Sequence, residues 1–419
     1  MKKLQLITTS FSLFLFTITV CNAQTVKILF DATKAETAAN ADWVIDADTH
    51  NLGPNSSGVM VTGQGNESNP QRYPIPAQSG ITASTAETFW EGSLSSWGID
   101  LVKKGYEVEE LPNADSITYG NASHAQDLSN YKVLIIDEPN IRFTLRQRNA
   151  IVNFVKNGGG LFIISDHVGS DRNNDGWDSP HIWNDLFANN TVKVNPFGMK
   201  FDSLNFSGTF TNLANIPSDT CLHGTMGNVT EVVYSNGTSM TLDRTANTSV
   251  TGLIFNTGYS NTGTTGALFA RALYGSGKVV ALGDSSPPDD GTGDPNDALY
   301  NGYSAEANGS HQMLMVDATI WLIERNSTTT NIDVNENIAS VNLFPNPSTE
   351  NITVRLNLKK SMEVSFEIVD LAGRMITKNE KRNFDSGMQN QELAVTSKGY
   401  YFVKIISAEG VITKPFIID

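Results

Sequence analysis

The sequence is poor in cysteine and in charge, and it has no apolar run long enough to cross a bilayer. Only two of its 419 residues are cysteines, and 17% are charged. If Cys21 leaves with an N-terminal leader, Cys221 stands alone, which excludes an intrachain disulfide from the processed chain. The apolar run at residues 13–20 is much shorter than the roughly 20 residues of a transmembrane helix. We therefore predict no transmembrane segment in the processed chain.

Basic residues are scarce as well. Lysine and arginine number 29 against 44 aspartate and glutamate residues, which gives a net charge of −15. This balance argues against a nucleic-acid partner, because such proteins bind phosphates through basic side chains. It also argues against docking on an anionic membrane surface. Residues 24–340 hold 35 acidic and 17 basic residues, whereas residues 341–419 hold nine and ten, so the negative charge belongs to one part of the chain.

Residues 1–23 have the pattern of a secretory signal peptide. Lys2 and Lys3 precede the apolar run, and Cys21-Asn22-Ala23 supplies small residues at the positions that a signal peptidase recognises. We expect cleavage after Ala23. A lipid anchor on Cys21 is a lesser alternative, because Val20 stands where a small residue normally precedes a lipidated cysteine.

Residues 24–325 alternate apolar strands with helices. Strands are predicted at residues 26–30, 132–136, 161–164 and 278–282, and helices at residues 94–104, 145–157 and 313–324. Strands that are apolar throughout and separated by helices predict an α/β fold with a doubly wound, mainly parallel sheet. Residues 47–85 and 170–265 are predicted to be long insertions. Polar residues 326–340 are predicted to be a linker, and the alternating strands of residues 341–419 predict a small C-terminal β-sandwich.

The C-terminal segment carries recognisable motifs in a fixed order. Leu343-Phe344-Pro345-Asn346-Pro347 opens it, Asp370-Leu371-Ala372-Gly373-Arg374 and Gly399-Tyr400-Tyr401-Phe402-Val403-Lys404 follow, and a short strand at residues 414–418 closes the chain. These residues resemble the C-terminal sorting domain of the type IX secretion system of Bacteroidetes. The resemblance implies that the type IX secretion machinery is a partner and that the protein is secreted or held at the outer cell surface.

Two glycine-containing segments of the larger domain carry a second resemblance. Residues 154–166, FVKNGGGLFIISD, and residues 275–285, GSGKVVALGDS, resemble the glutamine-amidotransferase-like, flavodoxin-like fold. The nearest branch is the non-enzymatic one of gliding-motility transporter subunits and intraflagellar-transport proteins. Amidotransferases place a nucleophilic cysteine after a strand, whereas Cys221 lies in a loop-rich insertion. We therefore predict that the chain is not a glutamine amidotransferase.

Acidic and polar residues follow four of the predicted strands. They are Asp31, then Asp137 and Glu138, then Asp166 and His167, and finally Asp284 and Ser285. In an open α/β sheet the carboxyl ends of parallel strands share one edge, where ligands bind. Crowded carboxylates repel one another, so one of them should take up a proton or a cation should lie among them. The alternative is that these residues only cap the helices that follow.

We assign candidate roles on this basis. The predicted catalytic residues are Asp137, Asp166, His167 and Asp284. The predicted substrate-binding residues are Asp31, Glu138, Ser285, Trp177 and His181. An alternating acidic loop nearby predicts calcium ligands at Asp171, Asn173, Asp175 and Asp178, because Gly176 permits the turn of a calcium loop. Ile182 stands where such a loop would place its glutamate, so another residue would have to complete the site.

Two classes of function follow from these residues. The first is an extracellular hydrolase or lyase that acts on a neutral polymer, with polysaccharide as the expected partner and calcium as the expected cofactor, because paired carboxylates suit glycoside cleavage. The alternative is a non-catalytic binding or structural surface protein with a degenerate amidotransferase-like domain.

Overall fold

The computed structural model describes residues 25–38, 41–46, 52–57, 60–62, 78, 80–86, 89–292, 300–324, 337–370, 374–395, 397–407 and 410–419. The predicted signal peptide at residues 1–23 lies outside these residues, as do residues 326–336 of the predicted linker. The chain divides into two compact units between Ile323 and Glu324. In the described part of the chain, no helix combines the length and the apolar composition needed to span a membrane.

The larger unit contains four α-helices, a 3-10 helix (Leu128–Asn130) and sixteen strands among the described residues. The helices are α1 (Ser95–Lys103), α2 (Leu145–Lys156), α3 (Ser179–Ala188) and α4 (Ser310–Ile323). The strands are β1 (Lys27–Asp31), β2 (Thr37–Ala38), β3 (Ala41–Asp42), β4 (Leu52–Pro54), β5 (Met60–Thr62), β6 (Glu107–Leu111), β7 (Val133–Ile136), β8 (Gly160–Ile164), β9 (Met199–Phe201), β10 (Phe206–Phe210), β11 (Asn212–Leu213), β12 (Val232–Gly237), β13 (Met240–Leu242), β14 (Thr251–Phe255), β15 (Ala267–Tyr274) and β16 (Gly277–Leu282).

The main sheet has the strand order β11-β14-β15-β16-β8-β7-β1-β6, and β13 and β9 extend it beside β15. Strands β6, β1, β7, β8 and β16 are mutually parallel, whereas β14 and β15 run antiparallel to their neighbours. The predicted α/β fold with a mainly parallel sheet is therefore confirmed. The insertion predicted at residues 170–265 supplies α3 and the antiparallel strands β9 to β14.

Each face of the parallel sheet covers its own hydrophobic core. Phe162 and Ile164 pack with residues of α1 and α4 on one face, and Leu161 and Ile163 pack with residues of α2 and α3 on the other. Successive side chains of a strand point to opposite faces, so a strand between two helical layers must be apolar at every position. The sheet is therefore doubly wound, and the carboxyl ends of its parallel strands lie at one edge.

The smaller unit is built from antiparallel strands. They are β17 (Ile338–Phe344), β18 (Asn351–Leu358), β19 (Met362–Asp370), β20 (Met375–Lys378), β21 (Arg382–Phe384), β22 (Gly387–Ala394), β23 (Gly399–Ser407) and β24 (Gly410–Ile418). One sheet has the order β17-β18-β22, and the other has the order β20-β19-β23-β24 with β21 beside β19. Alternate residues of both sheets, such as Val354 and Phe366, form a single core, so the unit is a β-sandwich.

Candidate functional site

The carboxyl edge of the parallel sheet holds a small cavity of about 230 Å³. Its walls are formed by Ala38, Asp166, His167, Arg172, Ser235, Asn236, Ser285 and Tyr300. Asp166 and His167 follow β8, and Ser285 follows β16. These neighbouring parallel strands end at the same level, which brings the three residues close together. Ser235 and Asn236 come from β12, in the insertion. Of the predicted strand-end residues, Asp166, His167 and Ser285 line this cavity, whereas the others are not among its walls.

Arg172 joins two buried carboxylates at this cavity. Its Nη2 lies 2.9 Å from Asp166 Oδ2, and its Nε donates to Glu138 Oε1 at 2.9 Å. The side chains of Asp166 and Glu138 are 4% and 0% exposed, against 29% for Arg172. The guanidinium therefore partly neutralises a pair of acids that would otherwise repel each other in a medium that screens charge poorly.

His167 lies beside Asp166, with its Nδ1 2.9 Å from Asp166 Oδ2. This interaction with Asp166 is the largest cause that raises the pKa of His167, and it outweighs burial, which lowers that pKa. The contact of Nδ1 with Asp166 is an ion pair of the protonated ring, because its angle does not make a hydrogen bond, and no hydrogen bond within the described residues engages either ring nitrogen. A carboxylate beside one ring nitrogen leaves the other for proton transfer, which is the arrangement of a general base with an orienting acid.

Glu138 occupies an unusual position directly after β7. Its backbone φ is +35°, a left-handed conformation that is rare outside glycine and is held in place only by strong surroundings. Trp43 Nε1 donates to its Oε2 at 2.7 Å, and Ser285 Oγ donates to the same oxygen at 2.6 Å. Burial and the charge of Asp166 raise the pKa of Glu138 to about 8, although Arg172 opposes them. Glu138 therefore holds a proton at neutral pH.

Asp137 lies next to Glu138 and is 1% exposed. Neither of its carboxyl oxygens has a hydrogen-bond partner among the described residues. Burial raises the pKa of Asp137 well above its usual range, and the charges of Glu138, Asp166 and Asp284 raise it further. An unpartnered buried carboxylate is costly, so burial favours the protonated form of Asp137. It does not line the cavity.

Asp284 and the two serines after β16 form the opposite side of the edge. Asp284 Oδ2 accepts the backbone N–H of Ser235 at 2.6 Å, and Oδ1 accepts the hydroxyl of Ser286 at 2.6 Å. Burial raises the pKa of Asp284 to about 7, although these hydrogen bonds oppose the shift. Asp284 thus ties β12 to the end of β16, while its neighbour Ser285 lines the cavity.

Asp31, the last residue of β1, and Glu36 are two further buried acids. Asp31 Oδ1 accepts the backbone N–H of Thr33 at 3.2 Å, and Glu36 Oε2 accepts that of Lys34 at 2.8 Å. Burial raises the pKa of both carboxyl groups. The charge of Asp31 raises the pKa of Glu36 further, whereas the charge of Lys34 lowers the pKa of Asp31 and so opposes the effect of burial. Asp31 is not a cavity wall, so its substrate-binding role stays a prediction.

Two other predicted substrate-binding residues lie away from the cavity walls. Trp177 stacks on Arg142, whose guanidinium carbon lies 3.6 Å from the ring centre. His181 is in the first turn of α3, with its Nδ1 2.5 Å from Asp178 Oδ1. Asp178 itself caps α3 by accepting the backbone N–H of His181 at 3.0 Å. The structure does not bring Trp177 or His181 to the cavity that holds Asp166 and His167.

The predicted calcium loop is a compact hydrogen-bonded turn. Asp171 accepts the backbone N–H groups of Asp175 at 3.0 Å and of Gly176 at 2.8 Å, and Asn173 Oδ1 accepts that of Asp175 at 3.1 Å. Carboxylate oxygens keep further lone pairs after accepting one N–H. In the described part of the chain, no three histidine, cysteine, aspartate or glutamate side chains are grouped so as to hold a metal ion. Calcium at this loop therefore remains a proposal.

Several residues of the site were not predicted from sequence, among them Arg172, Trp43 and Tyr300. Arg172 looked like part of the acidic loop, although a lone arginine six residues after Asp166 is a signal that could have been used. Trp43 and Tyr300 lie far from the strand ends in sequence, and only the fold brings them to the site. Cys221 is fully buried, which raises the pKa of its thiol, and it does not line the cavity.

The raised carboxyl pKa values predict an unusual pH dependence of stability. The stabilisation from neutral Glu138 is complete below its unfolded pKa of about 4.5 and is lost as the pH rises through about 8. Between these values one bound proton changes the free energy of unfolding by about 1.4 kcal/mol per pH unit. Melting temperatures from pH 5 to 8.5 should therefore fall more steeply for the wild-type chain than for Glu138→Gln. Parallel curves would contradict the prediction.

The family comparison concerns the smaller unit. Residues 342–419 match the family described as a secretion system C-terminal sorting domain. Residues 342–419 are a type IX secretion sorting domain. The protein is therefore exported through the type IX secretion system to the cell surface or the extracellular space, and that machinery is one of its partners.

Comparisons of the whole chain with curated proteins and with solved structures are less informative about function. No curated protein matches it. Among solved structures, the chain is similar to the mmIFT52 N-terminal domain at 13% identity, with 71% of this chain and 98% of that chain covered and a TM-score of 0.38. It is also similar to a putative ThuA-like protein from Parabacteroides merdae at 12% identity, with 72% and 91% covered and a TM-score of 0.32. These values support no conclusion about function.

Proposed function

We propose that this exported protein binds a neutral glycan unit in the 230 Å³ cavity and acts on it as a hydrolase or lyase by general acid–base chemistry. The observation that carries the proposal is the contact chain of His167, Asp166 and Arg172 in one cavity wall. The cavity is smaller than the about 300–1,000 Å³ of an ordinary ligand pocket, which suits one sugar residue better than a folded polymer segment.

The lining side chains suit a ligand rich in hydroxyl groups. Ser235, Asn236 and Tyr300 supply donors and acceptors, and Asp166 supplies a carboxylate. The proposed domain resemblance to amidotransferase-like proteins adds nothing to this chemistry, because the site contains no cysteine. The export route places the protein where extracellular glycans are found.

The proposed reaction needs one group to take a proton and another to supply one. In hydrolysis, His167 takes a proton on Nε2 from a water molecule whose oxygen bonds to the anomeric carbon of the glycan, while Asp166 stabilises the charge that the ring gains. Glu138, which holds a proton at neutral pH, contacts Ser285 Oγ at 2.6 Å. As the glycosidic C–O bond breaks, Ser285 gives its own hydroxyl proton to the leaving oxygen and takes the proton of Glu138, which reverses the hydrogen bond that it donates to Glu138 Oε2 in this structure. Arg172 stabilises the carboxylate left on Glu138.

The test is turnover of neutral polysaccharides and oligosaccharides by the processed chain and by its His167→Gln variant. New reducing ends or unsaturated products with the wild type, and their loss in the variant, would support the proposal. Binding of a glycan without turnover would favour the non-catalytic surface protein instead. If no glycan of the panel is bound or cleaved, both the enzyme proposal and the non-catalytic binding alternative are refuted.

Calcium is proposed to brace the loop of Asp171, Asn173 and Asp175 beside the cavity. Arg172 belongs to the same loop, and Asn173 Nδ2 donates to the backbone oxygen of Asn140 at 2.7 Å, so bracing this loop would help to hold Arg172 in place. We expect a chelator to lower the melting temperature by several degrees and calcium to restore it. Asp171→Asn should abolish this difference. An unchanged melting temperature, with no calcium found by mass spectrometry, would refute the proposal.

A further inference from the structure

A second cavity of about 410 Å³ adjoins the first. The two cavities share the wall residues Ser235 and Tyr300. Two consecutive serines follow β16. Ser285 lines the smaller cavity, and Ser286 lines the larger one. The same two chain segments, the end of β12 and the turn after β16, therefore shape both spaces.

The larger cavity differs in chemistry from the smaller one. Val233, Ala305 and Ala307 contribute apolar wall, and Glu231 and Glu306 contribute carboxylates. Neither lysine nor arginine is among its described wall residues. An anionic group would be repelled there, whereas the apolar face of a neutral sugar ring with hydroxyls at its edge would fit both kinds of wall.

His311 gives this cavity a fixed wall. Its Nε2 accepts the backbone N–H of Val233 at 2.8 Å, so the Nδ1, which lies 3.0 Å from the backbone oxygen of Gly302, carries the proton. Burial lowers the pKa of His311, which keeps the ring neutral. The histidine thus joins β12, residue 302 and α4 at the wall of the larger cavity.

We propose that the larger cavity is the subsite for the neighbouring sugar of the same ligand. The substrate is then a neutral disaccharide or a longer glycan end, whose linkage passes between Ser235 and Tyr300. This inference rests on the proposed function, because it assigns the first sugar to the smaller cavity. It adds that recognition requires two units and that anionic sugars are excluded from the second position.

The test compares matched one-unit and two-unit probes by calorimetry. The probes are methyl glycosides of glucose, mannose and N-acetylglucosamine and the corresponding thio-linked disaccharides, which resist cleavage. Ala307→Trp fills the larger cavity from an exposed position, and Ala305→Trp does the same from a second exposed position. Ala122→Trp, at an exposed position that lines neither cavity, is the control.

We expect one of the disaccharides to bind at least ten-fold more tightly than its methyl glycoside. That gain should vanish in Ala307→Trp and Ala305→Trp and persist in Ala122→Trp, while Asn236→Ala should weaken both probes. Equal binding of one-unit and two-unit probes, unaffected by either blocking tryptophan, would overturn this inference and leave the proposed function standing. Failure of every probe to bind would overturn both.

Discussion

Replacing His167 with glutamine should lower turnover of a neutral glycan by about 10²–10⁴-fold, the contribution usual for a positioned general acid or base. The glutamine preserves approximate size and polarity but cannot take up a proton near neutral pH. Its melting temperature should stay close to that of the wild type, because the side chain of His167 reaches the cavity and is 16% exposed. Product release per enzyme per minute is the measurement.

The chain offers a matched control for this variant. His124 is also a histidine beside an aspartate, with Nε2 2.5 Å from Asp115 Oδ1 and 18% of its side chain exposed. It lines neither cavity. His124→Gln should therefore leave turnover within a factor of about two. Equal losses in the two variants would mean that His167 acts on stability and not on catalysis.

Replacing Arg172 with methionine should have the largest effect on stability. The change leaves Asp166 and Glu138 buried without their shared cation, and breaking such a pair costs several kcal/mol. Since the guanidinium is 29% exposed, we expect a loss of about 2–4 kcal/mol in the free energy of unfolding at pH 8, below the full cost of a completely buried pair. Calorimetric unfolding of the larger unit is the measurement.

The loss should shrink at lower pH. Arg172 lowers the pKa of Glu138 in the wild type, so its removal lets the carboxyl hold a proton up to a higher pH. At pH 5 both buried acids can be neutral in the variant, and the missing cation then matters less. An Arg172→Met loss that is the same at pH 5 and pH 8 would contradict this explanation, since a purely steric role would not depend on pH.

Arg142→Met is the control for Arg172→Met. Arg142 is 44% exposed and lies 3.4 Å from Asp185, which keeps Arg148 as a second partner when Arg142 is removed. Exposed ion pairs contribute about 0–1 kcal/mol, so the control should change the free energy of unfolding by no more than about 1 kcal/mol. A larger effect there would mean that its stacking on Trp177 is more important than the ion pair.

The sheet and its edge were largely predictable from sequence. The strand at Val133–Ile136 is apolar throughout and is followed by Asp137 and Glu138. This local pattern predicts both that the strand is buried and that the two acids lie at the carboxyl edge of the sheet. The C-terminal sandwich was predictable for a similar reason, because period-two alternation such as that of Asn351–Leu358 identifies one buried face.

The selection among the acids was not predictable. Four strand ends look alike in sequence, yet Asp166 lines the cavity while Asp137 is buried and is not among the cavity walls, and this depends on side-chain packing. The opposite wall, Ser235 and Asn236, comes from an insertion whose short strands carry no strong pattern. The positive φ of Glu138 also follows from tertiary contacts with Trp43 and Ser285, since glutamate has no local preference for it.

The contact between Glu138 and Ser285 spans 147 residues of chain. Because β16 must pair with β8 before Ser285 can reach Glu138, we expect this contact to form only after that pairing. A nascent or partly translocated chain that lacks β16 has one wall of the cavity missing, however well its first strands are formed. We therefore expect the proposed catalytic groups to come together only in the fully folded chain. Folding intermediates that lack β16 should be inactive.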